Sequence, residues 1–269
     1  MYWHEATETV LAELAAYGRL GLVSDVDGTL SPIVADPDQA QVTPRNRELL
    51  AELQEHCTLV AVISGRAAPY LHAMVGVDGL VYVGNHGFER WEHGQVIVDP
   101  GVAAYRHALE AAQEALRPRL EDGMRVEDKG ATLSLHYRQT SNPDQTAARF
   151  RPIAAAIATR HGLRLTEGRK VFELRPPLEV DKGSAFTGLI RQHQLEAALY
   201  LGDDTTDVAA LKVARGVRER GECYAWGVGV ESEETPEEVL RQADLLAEGV
   251  AGVEALLAWL LKARKASST

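Results

Sequence analysis

The stretch LVSDVDGTLSPI, residues 22–33, sets Asp25 and Asp27 two positions apart, after an apolar run and before a glycine turn. Acids at the end of a buried strand are costly unless a cation, a basic partner or a reaction meets them. A turn with an Asx-type cap is one reading of the pair. The chemical reading makes Asp25 a nucleophile toward phosphorus, while Asp27 protonates the leaving oxygen and then activates water. An acyl phosphate of this kind divides one difficult displacement into two easier ones. Two acids so close repel an anionic phosphate, so the chemistry calls for Mg²⁺, with its hard oxygen ligands and retained waters. The remaining acids should lie downstream, and GDDTTD, residues 202–207, supplies Asp203, Asp204 and Asp207. Asp203 and Asp204 are adjacent and Asp207 follows one helical turn on, placed to complete or buttress a metal site, whereas helix capping alone would need only one acid. In ISGR the hydroxyl of Ser64 and the local amides suit phosphate oxygens near a helix start, although a plain N-cap would also explain that serine. Lys182, in VDKGSAF, opens a helix, where a free lysine is electrostatically disfavoured. Carboxylate and phosphate partners explain it better than solvent does.

These residues need a scaffold that brings distant segments together. The spacing of HEATETVLAELAAYG predicts a helix ending at Gly18, followed by a short buried strand LGLVSD. TPRNRELLAELQEHC reads as a helix with Thr43 as N-cap and Pro44 at its first position. TLVAVISGR, GLVYVGNHGFER and AALYLGDDTTD read as further apolar strands ending in polar residues. Strand, helix and strand in close order predict a parallel α/β core whose ligands bind beyond the carboxyl ends of the strands, where DVDG and SGR both fall. From about residue 102 to 178 the pattern changes to helix, alternating strand ATLSLHYR, helix, alternating strand RKVFELRP. Leu133, Leu135 and Tyr137 share one side of the first of these strands, and Ser134, His136 and Arg138 the other. In the second, Glu173 and Arg175 oppose Phe172 and Leu174. An open sheet face of this composition suits polar, anionic or hydroxylated ligands. The expected organisation is a core of residues 1–101 and 179–269 with an inserted α+β module, 102–178.

Composition narrows the function classes. The chain has 269 residues, 45% of them hydrophobic and 25% charged, as in an ordinary globular protein. A formal net charge of -11 argues against non-specific binding to nucleic acid or to an anionic membrane, both of which need a positive field. Cys57 and Cys223 stand alone, without metal-type spacing, and read as buried small hydrophobes. VAGVEALLAWLLKARK fits an amphipathic helix docked on the core. The opening MYWHEATETV has acids where a signal peptide would be basic, so a cytoplasmic location away from membranes is expected.

The order of motifs carries more than any one of them. DVDGTL, ISGR, DKG and GDDTTD closely resemble the four motifs of the haloacid dehalogenase superfamily of phosphohydrolases. With GNHGFE, residues 84–89, and an insert after the third strand, the chain resembles the trehalose-6-phosphate phosphatase family over essentially its whole length. The resemblance implies a Rossmann-like core, a parallel sheet with helices on both faces, and a C2-type cap that contributes substrate specificity. It implies Asp25 as nucleophile and Asp27 as general acid/base. Mg²⁺ would be held by Asp25, the Asp27 carbonyl and Asp203, with Asp204 and Asp207 supporting the metal site. Ser64, Gly65 and Lys182 would bind phosphate. Sugar contacts would come from Lys129, His136, Arg138, Arg169, Lys170, Glu173 and Arg175 of the cap, with Arg66, Asn85 and His86 from the core side. The partner implied is a small-molecule sugar phosphate, met by a monomer. Val208 stands where the family commonly has an acid, which bears on substrate choice more than on the chemistry. Sucrose phosphate and glucosyl-3-phosphoglycerate phosphatases share the core and a similar cap, and a phosphomutase shares the aspartyl-phosphate step. A non-catalytic sugar-phosphate sensor should have lost the nucleophile or a metal acid, and here every such position is kept.

Overall fold

The computed structural model describes residues 1–34, 39–92, 94–168 and 170–267. A 3₁₀ turn, Trp3–Ala6, leads into helix α1, Val10–Ala16, and strand β1, Leu20–Ser24. Helix α2, Pro44–His56, strand β2, Leu59–Ile63, helix α3, Ala68–Val75, and strand β3, Val81–Gly84, come next. A 3₁₀ turn, Asn85–Gly87, precedes strands β4, Glu89–Glu92, and β5, Gln95–Val98. Helices α4, Pro100–Ala103, and α5, Arg106–Leu116, lead to strands β6, Arg125–Asp128, and β7, Leu133–His136. Helix α6, Pro143–Arg160, and strands β8, Arg164–Gly168, and β9, Val171–Arg175, complete that region. The chain then runs through helix α7, Lys182–Gln192, strand β10, Ala197–Gly202, a 3₁₀ turn, Thr205–Asp207, and helix α8, Val208–Glu219. It finishes with strand β11, Tyr224–Glu231, helix α9, Glu237–Gln242, strand β12, Leu245–Glu248, and helix α10, Gly249–Ser267. Two compact units result: Met1–Val96 with Val180–Thr269, and Ile97–Glu179.

The first unit is built on a sheet of order β12-β11-β10-β1-β2-β3-β4-β5, parallel from β12 through β3, with β4 antiparallel to β3. Its central strands are buried on both faces, which is why they read as near-continuous apolar runs. Along β10, Ala197, Leu199 and Leu201 enter one hydrophobic layer while Ala198 and Tyr200 enter the other. Leucines of α2 and α10 fill the first layer, and Phe186, Leu189 and Leu211 of α7 and α8 fill the second. Helix α2 starts as its sequence predicts, with Thr43 Oγ1 accepting from the Asn46 amide at 3.1 Å and Pro44 at the first turn. Buried Arg264 of α10 donates to the carbonyls of Ala15, Tyr17 and His56, which satisfies acceptors left over at the ends of α1 and α2.

The opening helix departs from expectation. It is split at residues 7–9, where Thr7 and Thr9 hydroxyls donate to the His4 and Ala6 carbonyls and offer the backbone a local alternative to the helix. Val208 is buried at the start of α8, so its apolar side chain is used in packing.

The second unit is a four-stranded antiparallel sheet of order β6-β7-β9-β8, with Leu109, Ala112 and Leu116 of α5 and Phe150 and Ile157 of α6 packed against it. The alternation expected from sequence holds: Leu133, Leu135, Phe172 and Leu174 enter the core. Two further strands, β6 and β8, appear where sequence patterning gave none. Both are edges, with sequences RVED and RLTEG, and charged edge strands carry little apolar alternation.

Candidate active site

Because β1, β2, β3 and β10 run parallel, the residues that follow them emerge at one end of the sheet. Asp25 follows β1, with its amide donating to the Leu201 carbonyl at 2.8 Å. Asp203 follows β10, and Asp207 ends the short turn beyond it. Carboxylate oxygens of Asp25, Asp203 and Asp207 lie within 4.8 Å of one another, and all three residues are buried. Lys182, the first residue of α7 and itself buried, reaches into this group. Its Nζ donates to Asp25 Oδ1 at 2.7 Å and to Asp207 Oδ1 at 2.8 Å.

The cluster has the donors and the charge to hold a metal ion. Burial pushes the Asp25 carboxyl well above the ordinary carboxylate range; Lys182 pulls against that shift, and Asp207 and Asp203 add to it. Burial works against the Lys182 ammonium, yet Asp207 and Asp25 outweigh it and raise its pKa. One ammonium cannot balance three buried carboxylates, and an all-oxygen donor set of this charge suits a hard divalent ion. The glycines fit the same design. Gly28 has φ +90°, and a Cβ there would lie 2.1 Å from Asp203 Oδ2. A Cβ at Gly202 would lie 2.3 Å from Asp207 Cγ, so both loops close on their carboxylates only without a side chain.

Asp27 stands apart from the cluster. Both its oxygens accept from Arg66, Nε to Oδ2 at 2.7 Å and Nη2 to Oδ1 at 2.7 Å, a bidentate pair that fixes carboxylate and guanidinium together. Arg66, expected at the sugar, thus also holds the expected acid/base, and its guanidinium lies over the Tyr70 ring at 5.0 Å. Asp204 also stands outside the triad: its carboxylate accepts from the Thr205 amide at 2.7 Å and caps the following turn.

Ser64, Gly65 and Arg66 are joined to the loop after β3. The His86 amide donates to the Ser64 carbonyl and the Asn85 amide to the Arg66 carbonyl, each at 2.9 Å. Asn85 and His86 are both left-handed, at φ 49° and 59°, a conformation that non-glycine residues hold only when their surroundings impose it. A Cβ on Gly65 would sit 2.6 Å from His86 Nε2, so the glycine lets the imidazole lie against this loop. Ser64 does not cap α3. Ala67 is the N-cap residue, and the Glu89 carboxylate takes the Ala68 amide, which leaves Ser64 Oγ accepting from the Arg66 amide at 3.2 Å.

In the second unit the strand register puts Arg125 and Glu127, Ser134 and His136, Glu173 and Arg175, and Arg164 and Thr166 on one face. Buried Glu173 accepts from Thr132 Oγ1 at 3.1 Å and lies 3.5 Å from Lys129 Nζ. The face is therefore more closed than an open strand face, its acid already held by neighbours. His136 Nε2 meets Glu127 Oε2 at 2.8 Å. Arg138 follows β7, half-buried. Lys170 occupies the turn between β8 and β9, at φ 61°, and pairs with Asp144 of α6. Arg169 lies outside the described residues. Sequence reasoning missed Arg125 and Glu127, whose R-V-E alternation was the available signal. It also missed Thr29, which donates to Asp203 Oδ1 at 3.3 Å, and Tyr200, the single polar side chain in AALYLG.

The parallel sheet, the inserted unit and the aspartate at the end of β1 define a haloacid dehalogenase-like hydrolase fold. The chain superposes on a haloacid dehalogenase-like hydrolase from Bacteroides thetaiotaomicron with TM-score 0.63 and 16% identity, covering 89% of this chain and 98% of that one. It superposes on the C-terminal domain of trehalose-6-phosphate phosphatase from C. albicans with TM-score 0.79 and 20% identity, covering 95% and 96%. The profile described as trehalose-phosphatase matches residues 23–229. A curated Mycobacterium tuberculosis protein named trehalose-phosphate phosphatase is 39% identical over 200 residues, 70% of this chain and 50% of that one. The chain belongs to the trehalose-phosphatase family. It spans about half the length of the mycobacterial relatives it matches.

Proposed function

We propose that this chain hydrolyses trehalose 6-phosphate to trehalose and inorganic phosphate through an aspartyl-phosphate intermediate on Asp25, with Mg²⁺ as cofactor. The observation that carries the reading is the Asp25 carboxylate, buried, aimed from the end of β1 and held by Lys182 inside an acidic cluster. Family membership supplies the substrate class.

An Asp25 oxygen attacks phosphorus and the P–O bond to the sugar breaks, with the proton for the leaving alkoxide coming from Asp27. Water, deprotonated by Asp27, then attacks the aspartyl phosphate, releasing phosphate and restoring the Asp25 carboxylate. Asp27 must first exchange Arg66 for the leaving oxygen, since both its carboxylate oxygens are engaged by that guanidinium. Lys182 and the Ser64–Gly65 loop bind phosphate oxygens. Asp25, Asp203 and the Asp27 carbonyl would hold the metal. Asp207, whose oxygens already accept from Lys182, Tyr200 and two amides, orients the group, as does Asp204 through its turn. When bound, Mg²⁺ offsets the carboxylate charge and the charge that develops on the phosphoryl group. The second unit works as the cap, its polar face recognising the disaccharide. Lys129, His136, Glu173 and Arg175 lie on or beside that face, and Arg138, Lys170, Asn85 and His86 are further sugar contacts in this reading. The protein acts as a cytoplasmic monomer on a dissolved sugar phosphate.

Phosphate release with Mg²⁺ from trehalose 6-phosphate, sucrose 6-phosphate, glucosyl-3-phosphoglycerate and glucose 6-phosphate tests this. A large preference for the first is expected, and no release by Asp25→Asn; an even spread, or preference for another ester, overturns the substrate. Glu173→Ala is expected to lower kcat/KM for the disaccharide phosphate at least tenfold more than for a small aryl phosphate. Equal losses on both would move Glu173 from recognition to chemistry.

A further inference from the structure

Tyr200 lies on β10 among alanines and leucines and is fully buried. Its ring packs on Phe186 with centroids 5.2 Å apart. Phenylalanine would fill that space equally well, so the hydroxyl needs its own explanation. A buried phenol must find an acceptor, and Tyr200 donates to Asp207 Oδ1 at 2.6 Å. The same oxygen accepts from Lys182 Nζ, which in turn donates to Asp25. The other oxygen of Asp207 accepts from the Asp203 amide at 3.2 Å and the Asp204 amide at 3.0 Å. Phe186, beneath the Tyr200 ring, lies one turn after Lys182 on α7. Tyr200 therefore touches the helix that carries the lysine and the carboxylate that aims it.

We propose that Tyr200 is a positioning residue for phosphoryl transfer: its hydroxyl fixes Asp207, and through Asp207 it holds Lys182 against the nucleophile Asp25. This rests on the phosphatase reading given above. Burial, reinforced by Asp207, pushes the Tyr200 phenol well above its ordinary range. Removing the hydroxyl leaves Asp207 Oδ1 with Lys182 as its remaining side-chain donor. The ammonium is then drawn toward Asp207 and away from Asp25. Substrate contacts at the sugar are untouched.

The test is Tyr200→Phe, which deletes one oxygen. With both 4-nitrophenyl phosphate and the preferred sugar phosphate, kcat is expected to fall on the order of tenfold, and any rise in KM to be the same for the two esters, because the interaction altered acts at phosphorus and not at the sugar. A crystal structure of the metal-free variant is expected to show the Lys182 Nζ–Asp25 contact lengthened beyond hydrogen-bonding range with the backbone unmoved. Unchanged kcat, or a loss confined to KM, overturns the proposal, as does an unaltered Lys182–Asp25 contact. If the wild-type protein released phosphate from no ester, the phosphatase reading would fail, and the crystal structure would still decide whether Tyr200 positions Lys182.

Discussion

Lys182 is the counter-ion that the buried aspartates meet, and mutation isolates that role. Lys182→Met keeps most of the side-chain volume but leaves Asp25, Asp203 and Asp207 buried without a cation. Breaking a buried pair in this way costs about 3–5 kcal/mol, so a urea unfolding curve should move by that amount in metal-free buffer. Adding Asp207→Asn to Lys182→Met should recover part of the loss, because one uncompensated charge is gone. An unshifted curve for the single variant would mean that the cluster is neutral when the lysine is absent. The residues that the sequence revealed here are those whose type is improbable in its setting: acids at strand ends and a lysine opening a helix. Tyr200 escaped because tyrosine is ordinary in an apolar strand, and the Asp27–Arg66 pair escaped because spacing along a chain does not show which side chains meet across two loops.

Among the elements, β1, β2, β3 and β10 were legible because burial on both faces leaves an unbroken hydrophobic run that ends in polar residues, whereas β11, interrupted by Gly227 and Gly229, and the four-residue β12 were not read. Edge strands obey other rules, so β6 and β8 were not legible. Strand β6 now carries a consequence for pH. His136, through its hydrogen bond, holds the Glu127 carboxyl below its ordinary value, and Arg106 does the same for Asp128. A carboxyl depressed on folding stabilises the folded state above its unfolded pKa, about 4.3 for Glu and 3.9 for Asp. That contribution disappears as pH falls through the depressed folded values. Hydrogen exchange of the β6–β7 amides should therefore keep its protection at pH 5 and lose it progressively below about 4. Glu127→Gln combined with Asp128→Asn should flatten that dependence. Protection that fell equally in wild type and double variant would assign the acid sensitivity to another part of the unit.

For the molecule as a whole, one unit contains the buried acidic cluster and the other, among the described residues, has no such group, and thermodynamic linkage should show the difference. Mg²⁺ at 100 times its dissociation constant adds about 2.7 kcal/mol to whatever binds it only when folded. Thermal unfolding of Met1–Val96 with Val180–Thr269, followed by hydrogen exchange, should shift upward by several degrees with Mg²⁺, and Asp203→Asn should abolish the shift. Chelation should reverse it. A shift of equal size in residues 97–179 would mean that the two units unfold as one. No helix among the described residues is long and apolar enough to cross a membrane.

The central position of β1 in the sheet also sets a timetable. Its partner on one side is β2, and on the other it is β10, which is made only after the whole inserted unit. At ribosomal speeds of about 5–20 residues per second, the nascent Leu20–Ser24 strand waits on the order of ten to thirty-five seconds with an open edge and Asp25 lacking Lys182 and Asp203. An interrupted translation product ending before Lys182 therefore carries Asp25 without Lys182, Asp203 or Asp207, and on the phosphatase reading such a half-made chain lacks the groups that aim its nucleophile.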